Sequence, residues 1–146
     1  MKAQNLFLVP ELIRRARLGA GLSQKVLAAR VGLDQSFICA VEKGRRRVHA
    51  RESLDAIGRT TGMTPVELQA LLWAWRHDRV VTEAQSVGLP ETAQRLVSRG
   101  LQAAQHLEHR ELVGLEHTIN SALRSKRELA ALAERSGSND EEVHMS

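Results

Sequence analysis

Tyrosine is absent from this sequence, aromatic residues make up only 3% of it, and its 146 residues include one cysteine. The lone Cys39 excludes an intramolecular disulfide framework and a cysteine-rich zinc site. Only three prolines occur and no alternating β-branched run stands out. A core built from Leu, Val, Ile and Ala is helical stock, so the expected fold class is all-α. No apolar stretch approaches the roughly 20 residues that a membrane span needs. Leu6-Phe7-Leu8-Val9 is too short for a signal-peptide core and runs into Pro10 and Glu11. A cytoplasmic protein without membrane association is expected. Gly19-Ala20-Gly21 lacks the preceding strand and third glycine of a phosphate loop. No nucleophile and base arrangement stands out, so neither catalysis nor a cofactor is expected.

What is present is a hydrophobic content of 42%, enough for a packed core, and a net charge of +4 that is unevenly spread. Residues 1–79 hold fourteen Lys and Arg against seven Asp and Glu, whereas residues 80–146 hold seven against ten. A basic first half followed by an acidic second half implies that only the first half meets a polyanion.

Helix signals follow one another closely. Pro10-Glu11 suits a first helical turn, with Leu12, Ile13 and Ala16 sharing a face before Gly19-Ala20-Gly21. Ser23 is a good N-cap for a second helix, with Val26, Leu27 and Val31 as its stripe and Gly32 as its stop. Asp34 suits the start of a third helix, with Phe37, Ile38 and Val41 inward and Gly44 at its end. A fourth is expected over about 51–60, with Leu54 and Ile57 inward. Thr64-Pro65-Val66-Glu67 then reads as a near-complete start signal for a fifth, carrying Leu68, Leu71, Leu72 and Trp75. The expected organisation is an arm over 1–9, a five-helix domain over 10–77, a linker or short helix over 78–89, a helical region over 90–135 and a disordered tail over 136–146. Trp73 and Trp75, two apart on one helix, are not expected to face the core together.

The run LSQKVLAARVGLDQSFICAVEKGRRR, residues 22–47, combines a short helix, a tight turn at Gly32, and a second helix that begins polar and ends in a basic loop. A helix lying in the DNA major groove needs short polar side chains near its amino end and cations around it to hold phosphates. With Gly21-Leu22-Ser23-Gln24, Leu27-Ala28, Val31-Gly32, Ser36-Phe37-Ile38 and Val41-Glu42-Lys43-Gly44-Arg45 in order, residues 10–76 resemble the Cro/C1-type helix-turn-helix regulators, also called the xenobiotic-response-element family.

The resemblance implies that Gln35, Ser36 and Ala40 face base edges, while Gln24, Lys43, Arg45, Arg46 and Arg47 hold phosphates of double-stranded DNA. It also implies a structural ion pair between Arg17 and Glu42. The family often has a proline soon after the basic loop, where this chain has Val48-His49-Ala50. Cys39 is expected to be a partly buried structural thiol.

In the second half, Leu112, Leu115, Ile119, Ala122 and Leu129, with Ala133, follow 3-4 spacing, and Lys126 intrudes at one seam position. Leu96, Val97, Leu101, Ala104 and Leu107 make a separate stripe, and Gly100 and Gly114 weaken the case for one unbroken helix. Regulators of this type normally pair on two half-sites, so residues 90–135 are expected to form a homodimer. His106, His109, Glu116 and His117 supply no complete ligand set; a solvated helical face is expected there, with no metal. The leading expectation is thus a dimeric repressor. The alternative is a protein-interaction module or antitoxin-like regulator whose residues 90–135 bind a partner protein.

Overall fold

In the computed structural model, which describes residues 5–144 and side chains through Asn139, helices form wherever a cap or glycine stop flanks an apolar stripe. They are α1 (Val9–Gly19), α2 (Gln24–Val31), α3 (Gln35–Glu42), α4 (Arg51–Thr61), α5 (Pro65–Ser86), α6 (Glu91–His106) and α7 (His109–His144), with no strand among the described residues. The Ser23 hydroxyl accepts the Val26 N–H at 3.1 Å, starting α2. Gly32 ends it in the left-handed region at φ 71°, a conformation that side chains rarely adopt. At α5 the Thr64 hydroxyl accepts from Glu67 N at 3.2 Å, and the Glu67 carboxylate accepts from Thr64 N at 2.7 Å. Asp34 precedes α3 but makes no side-chain cap bond.

The chain divides into two units, the first ending at Leu101 and the second beginning at Gln102. The first unit is organised around one core: Ile13 of α1, Leu27 of α2, Ile38 and Val41 of α3, Leu54 and Ile57 of α4, and Leu71 of α5 are all buried. Each comes from the apolar stripe of its own helix, so α2 and α3 are held on a platform made by α1, α4 and α5. Both tryptophans pack partly against this core, contrary to the expectation that they could not. Trp73 stacks on His77 with ring centroids 5.5 Å apart, and Trp75 donates its indole N–H to the Val48 carbonyl at 2.6 Å. Both rings are half-buried, so neither has to point straight into the core.

The segment 78–89, expected as a linker or short helix, belongs mostly to α5. That helix runs unbroken to Ser86 because Asp78, Val81 and Ala84 continue its buried face. Asp78 closes a gap that local sequence leaves open. Leu8, at the N-cap of α1, has no capping side chain, and the Asp78 carboxylate accepts Leu8 N at 2.8 Å and Val9 N at 2.9 Å instead. His77, fully buried, bonds Asp78 through Nδ1 at 2.9 Å and the buried Ser98 hydroxyl of α6 through Nε2 at 2.8 Å. A buried polar group without partners is costly; here five residues, from the start of α1, from α5 and from α6, satisfy one another.

The break between α6 and α7 falls at Leu107-Glu108 and not at Gly100 or Gly114, which lie inside helices. The Glu111 carboxylate reaches back to accept Glu108 N at 2.9 Å, which starts α7. Helix α7 then continues to His144, through residues 136–144 of the tail expected to be disordered, whose last two residues lie outside the described ones. Of the arm expected over 1–9, residues 1–4 lie outside the described residues, and Val9 already belongs to α1.

Candidate nucleic-acid interface

Helix α3 is amphipathic by necessity, since Ile38 and Val41 go into the core and the opposite arc must meet solvent. Gln35 and Ser36 stand exposed in its first turn, and Ala40 is half-buried one turn further on. Helical spacing puts Cys39, half-buried, on that same arc, four residues after Gln35 and three after Ser36. It therefore lies among the residues expected to face bases; counting in hundred-degree steps from Gln35 shows this placement.

The end of α3 is fixed by Arg17 and Glu42. Arg17 Nε and Nη2 donate to Glu42 Oε2 and Oε1 at 2.8 and 2.7 Å, and Nη1 donates to the Leu22 carbonyl at 2.9 Å. The side chains are 10% and 3% exposed. The Glu42 hydrogen bonds, more than its charge, hold the Arg17 guanidinium above its ordinary range despite burial. One planar fork thus joins α1, the chain entering α2 and the last turn of α3. Gln24 donates to the same Glu42 carboxylate at 3.4 Å, bringing the start of α2 to this junction.

The basic loop is pinned directly against α3. Gly44 adopts φ 73°, turning the chain so that Arg45 N and Arg46 N both donate to the Ala40 carbonyl, at 2.9 and 3.3 Å. Lys43, Arg45 and Arg46 are exposed. The Arg46 guanidinium lies 5.0 Å from the Phe37 ring centroid, a cation–π contact that orients it. Arg47 differs: it is half-buried beside Phe7, Val48 and Trp75, and its Nε is buried without a hydrogen-bond partner among the described residues. No described carboxylate pairs with any of these four cations. Val48, the first residue after the basic loop, is buried, and its carbonyl bond to Trp75 holds the loop's exit.

The arrangement offers two exposed polar side chains on a rigid helix, backed by unpaired cations on a loop tied to that helix. The expected site residues of the first unit therefore lie together, with Arg47 set back from the others. Those of the second unit lie along α7: Leu112 is half-buried, and Leu115, Ile119, Ala122 and Leu129 are exposed. Leu123, 50% exposed, borders the same stripe and was missed because it falls one place off the 3-4 pattern. Among the described residues no three His, Cys, Asp or Glu side chains gather as metal ligands, and no helix is long and apolar enough to cross a membrane.

Residues 11–71 match the family model of the helix-turn-helix domain. Among solved structures, the crystal structure of the wild-type restriction-modification controller protein C.Esp1396I is similar over 47% of this chain and 91% of its own, with 27% identity and a TM-score of 0.41. No curated protein matches the chain.

Proposed function

We propose, from the premise that residues 11–71 are a Cro/C1-type helix-turn-helix domain of a DNA-binding transcription regulator, that the protein is a dimeric repressor reading two half-sites through α3. The observation that carries this reading is the pairing of exposed Gln35 and Ser36 with unpaired Lys43, Arg45 and Arg46 on one rigid surface. Gln35 matches adenine, which presents a donor and an acceptor in the major groove, and such a bidentate contact is worth about 1–3 kcal/mol of discrimination. Ser36 adds a less selective contact, and Ala40 suits a thymine methyl. The cations, with Gln24 at the start of α2, hold the flanking phosphates.

A single helix of this kind reads few base pairs, so a second copy is required for a site of useful length. The exposed apolar residues of α7 support self-association as its source. The test is selection of bound duplexes from random DNA, followed by gel shift at moderate salt. Enrichment of an inverted repeat is the expected result, and no preferred sequence would remove the reading. Stable capture of another protein on α7, combined with indifference to DNA, would favour the interaction-module alternative.

A further inference from the structure

The residues of α7 that carry its apolar stripe also say how two copies of it must lie. With Leu112, Ile119 and Lys126 at one seam position of the seven-residue repeat, and Leu115, Ala122 and Leu129 at the other, the stripe spans three repeats and is broken only by Lys126. In the second unit this face is uncovered: Leu115, Ile119 and Leu129 are 43%, 54% and 65% exposed.

Two ways of pairing the stripe with a second copy are open, and charge separates them. In a parallel pair, equal positions meet. Lys126 then faces Lys126 of the other chain inside the seam, with Ser125 and Ala130 as its nearest edge residues and no carboxylate to receive it. The flanking positions five apart also meet, which sets Glu111 against Glu116 on both sides. An antiparallel pair brings the two seam positions opposite one another. Leu112 then meets Leu129, Ile119 meets Ala122, and Lys126 meets Leu115. Leu112, Ile119 and Leu129 keep apolar partners, and Leu115 takes the lysine. Lys126 lays its methylenes on Leu115 and carries its ammonium to the adjacent Glu116, once at each end. The same two acidic and basic residues that repel in one orientation attract in the other.

We propose that the protein dimerises through α7 as an antiparallel two-helix coil, with Lys126 of each chain paired to Glu116 of the other. This rests on the dimer reading above and specifies its geometry. The seam lysine weakens the coil relative to an all-apolar one and sets its orientation, as a single polar seam residue does in coiled coils generally.

Charge exchange on the full-length protein tests the pairing by sedimentation equilibrium. Lys126→Glu and Glu116→Lys should each raise the dimer dissociation constant about tenfold or more, and the double variant should return it close to wild type. In a parallel coil Glu116→Lys would instead tighten the dimer by meeting Glu111, and that result overturns the proposal. So does failure of the double variant to recover. A second measurement is independent of affinity. With spin labels at Arg110→Cys in a Cys39→Ala background, the antiparallel coil sets the two labels about 30 Å apart, from 21 residues of helix at about 1.5 Å each. A dimer with labels under roughly 20 Å apart overturns the orientation and leaves the dimeric regulator standing. A protein that stays monomeric at high concentration overturns both the orientation and the dimer, while DNA binding by the first unit stays separately measurable by gel shift.

Discussion

Arg17 and Glu42 are both charged, nearly out of contact with water and matched by a fork of two short bonds. Desolvation offsets much of what such a pair gains, so its value lies in holding α1 and the end of α3 in one geometry. Removing one partner strands the other. Glu42→Ala is expected to cost about 3–5 kcal/mol in chemical denaturation; a cost below 1 kcal/mol would mean that water fills the gap and the pair is not structural. Because Arg17 is held above its ordinary range, its charge persists over the whole working pH interval and adds no pH dependence there. The arginines after α3 separate by the same reasoning about surroundings. Arg46 is exposed and oriented over Phe37, whereas Arg47 folds back beside Val48 and Trp75. For Arg46→Ala the slope of log affinity against log salt should shrink by about 0.9, the value of one lost phosphate contact on duplex DNA. Arg47→Ala should leave that slope unchanged and lower thermal stability instead. Equal slopes for both variants would contradict the placement of these side chains.

Helix α1 begins without a cap of its own and takes one from α5, since Asp78 accepts both Leu8 N and Val9 N while bonding His77. Asp78→Ala therefore leaves two helix-end donors and one imidazole nitrogen short of partners, each costing about 1–3 kcal/mol when buried. A loss of about 3 kcal/mol or more in denaturation is expected, and a near-neutral variant would show that the network is not binding the helices together. The neighbouring Ser98→Ala removes the hydroxyl that partners His77 Nε2 and should cost about 1–3 kcal/mol. Such links explain what was legible in the sequence and what was not. Ser23, Gly32 and the Thr64-Pro65-Val66-Glu67 start each act within four residues, so α2, its turn and the start of α5 follow from local rules. The ion pair of Arg17 with Glu42, 25 residues apart, was reached only through resemblance to a family. Asp78 with Leu8, 70 apart, and His77 with Ser98, 21 apart, have no local signature at all. The expected five-helix domain stops at residue 77 because the apolar pattern loosens from Asp78 to Pro90, a stretch that carries Asp78, Arg79 and Glu83. Val81 and Ala84 extend its buried face past them, and Gly88 and Pro90 supply the stop only after Ser86.

The chain as a whole comprises a basic unit with its own core and a second unit whose long helix leaves Leu115, Ile119 and Leu129 exposed. Monomeric proteins rarely leave a contiguous apolar stripe of that kind uncovered, and a lone recognition helix reads too little sequence to find one site in a genome. Self-association would answer both needs, since tying two reading units together raises affinity for paired half-sites by about 100-fold to 10,000-fold without a new DNA contact. Replacing Leu115 and Ile119 together by Glu puts four charges into the proposed seam and leaves the core of the first unit untouched, because neither residue belongs to it. The variant should be monomeric by sedimentation and should keep wild-type affinity for a duplex carrying one half-site. On the two-site duplex its affinity should fall to nearly that of the single site. A monomeric variant that still bound the two-site duplex as tightly as wild type would place the dimer contact outside α7, on the DNA-binding unit itself.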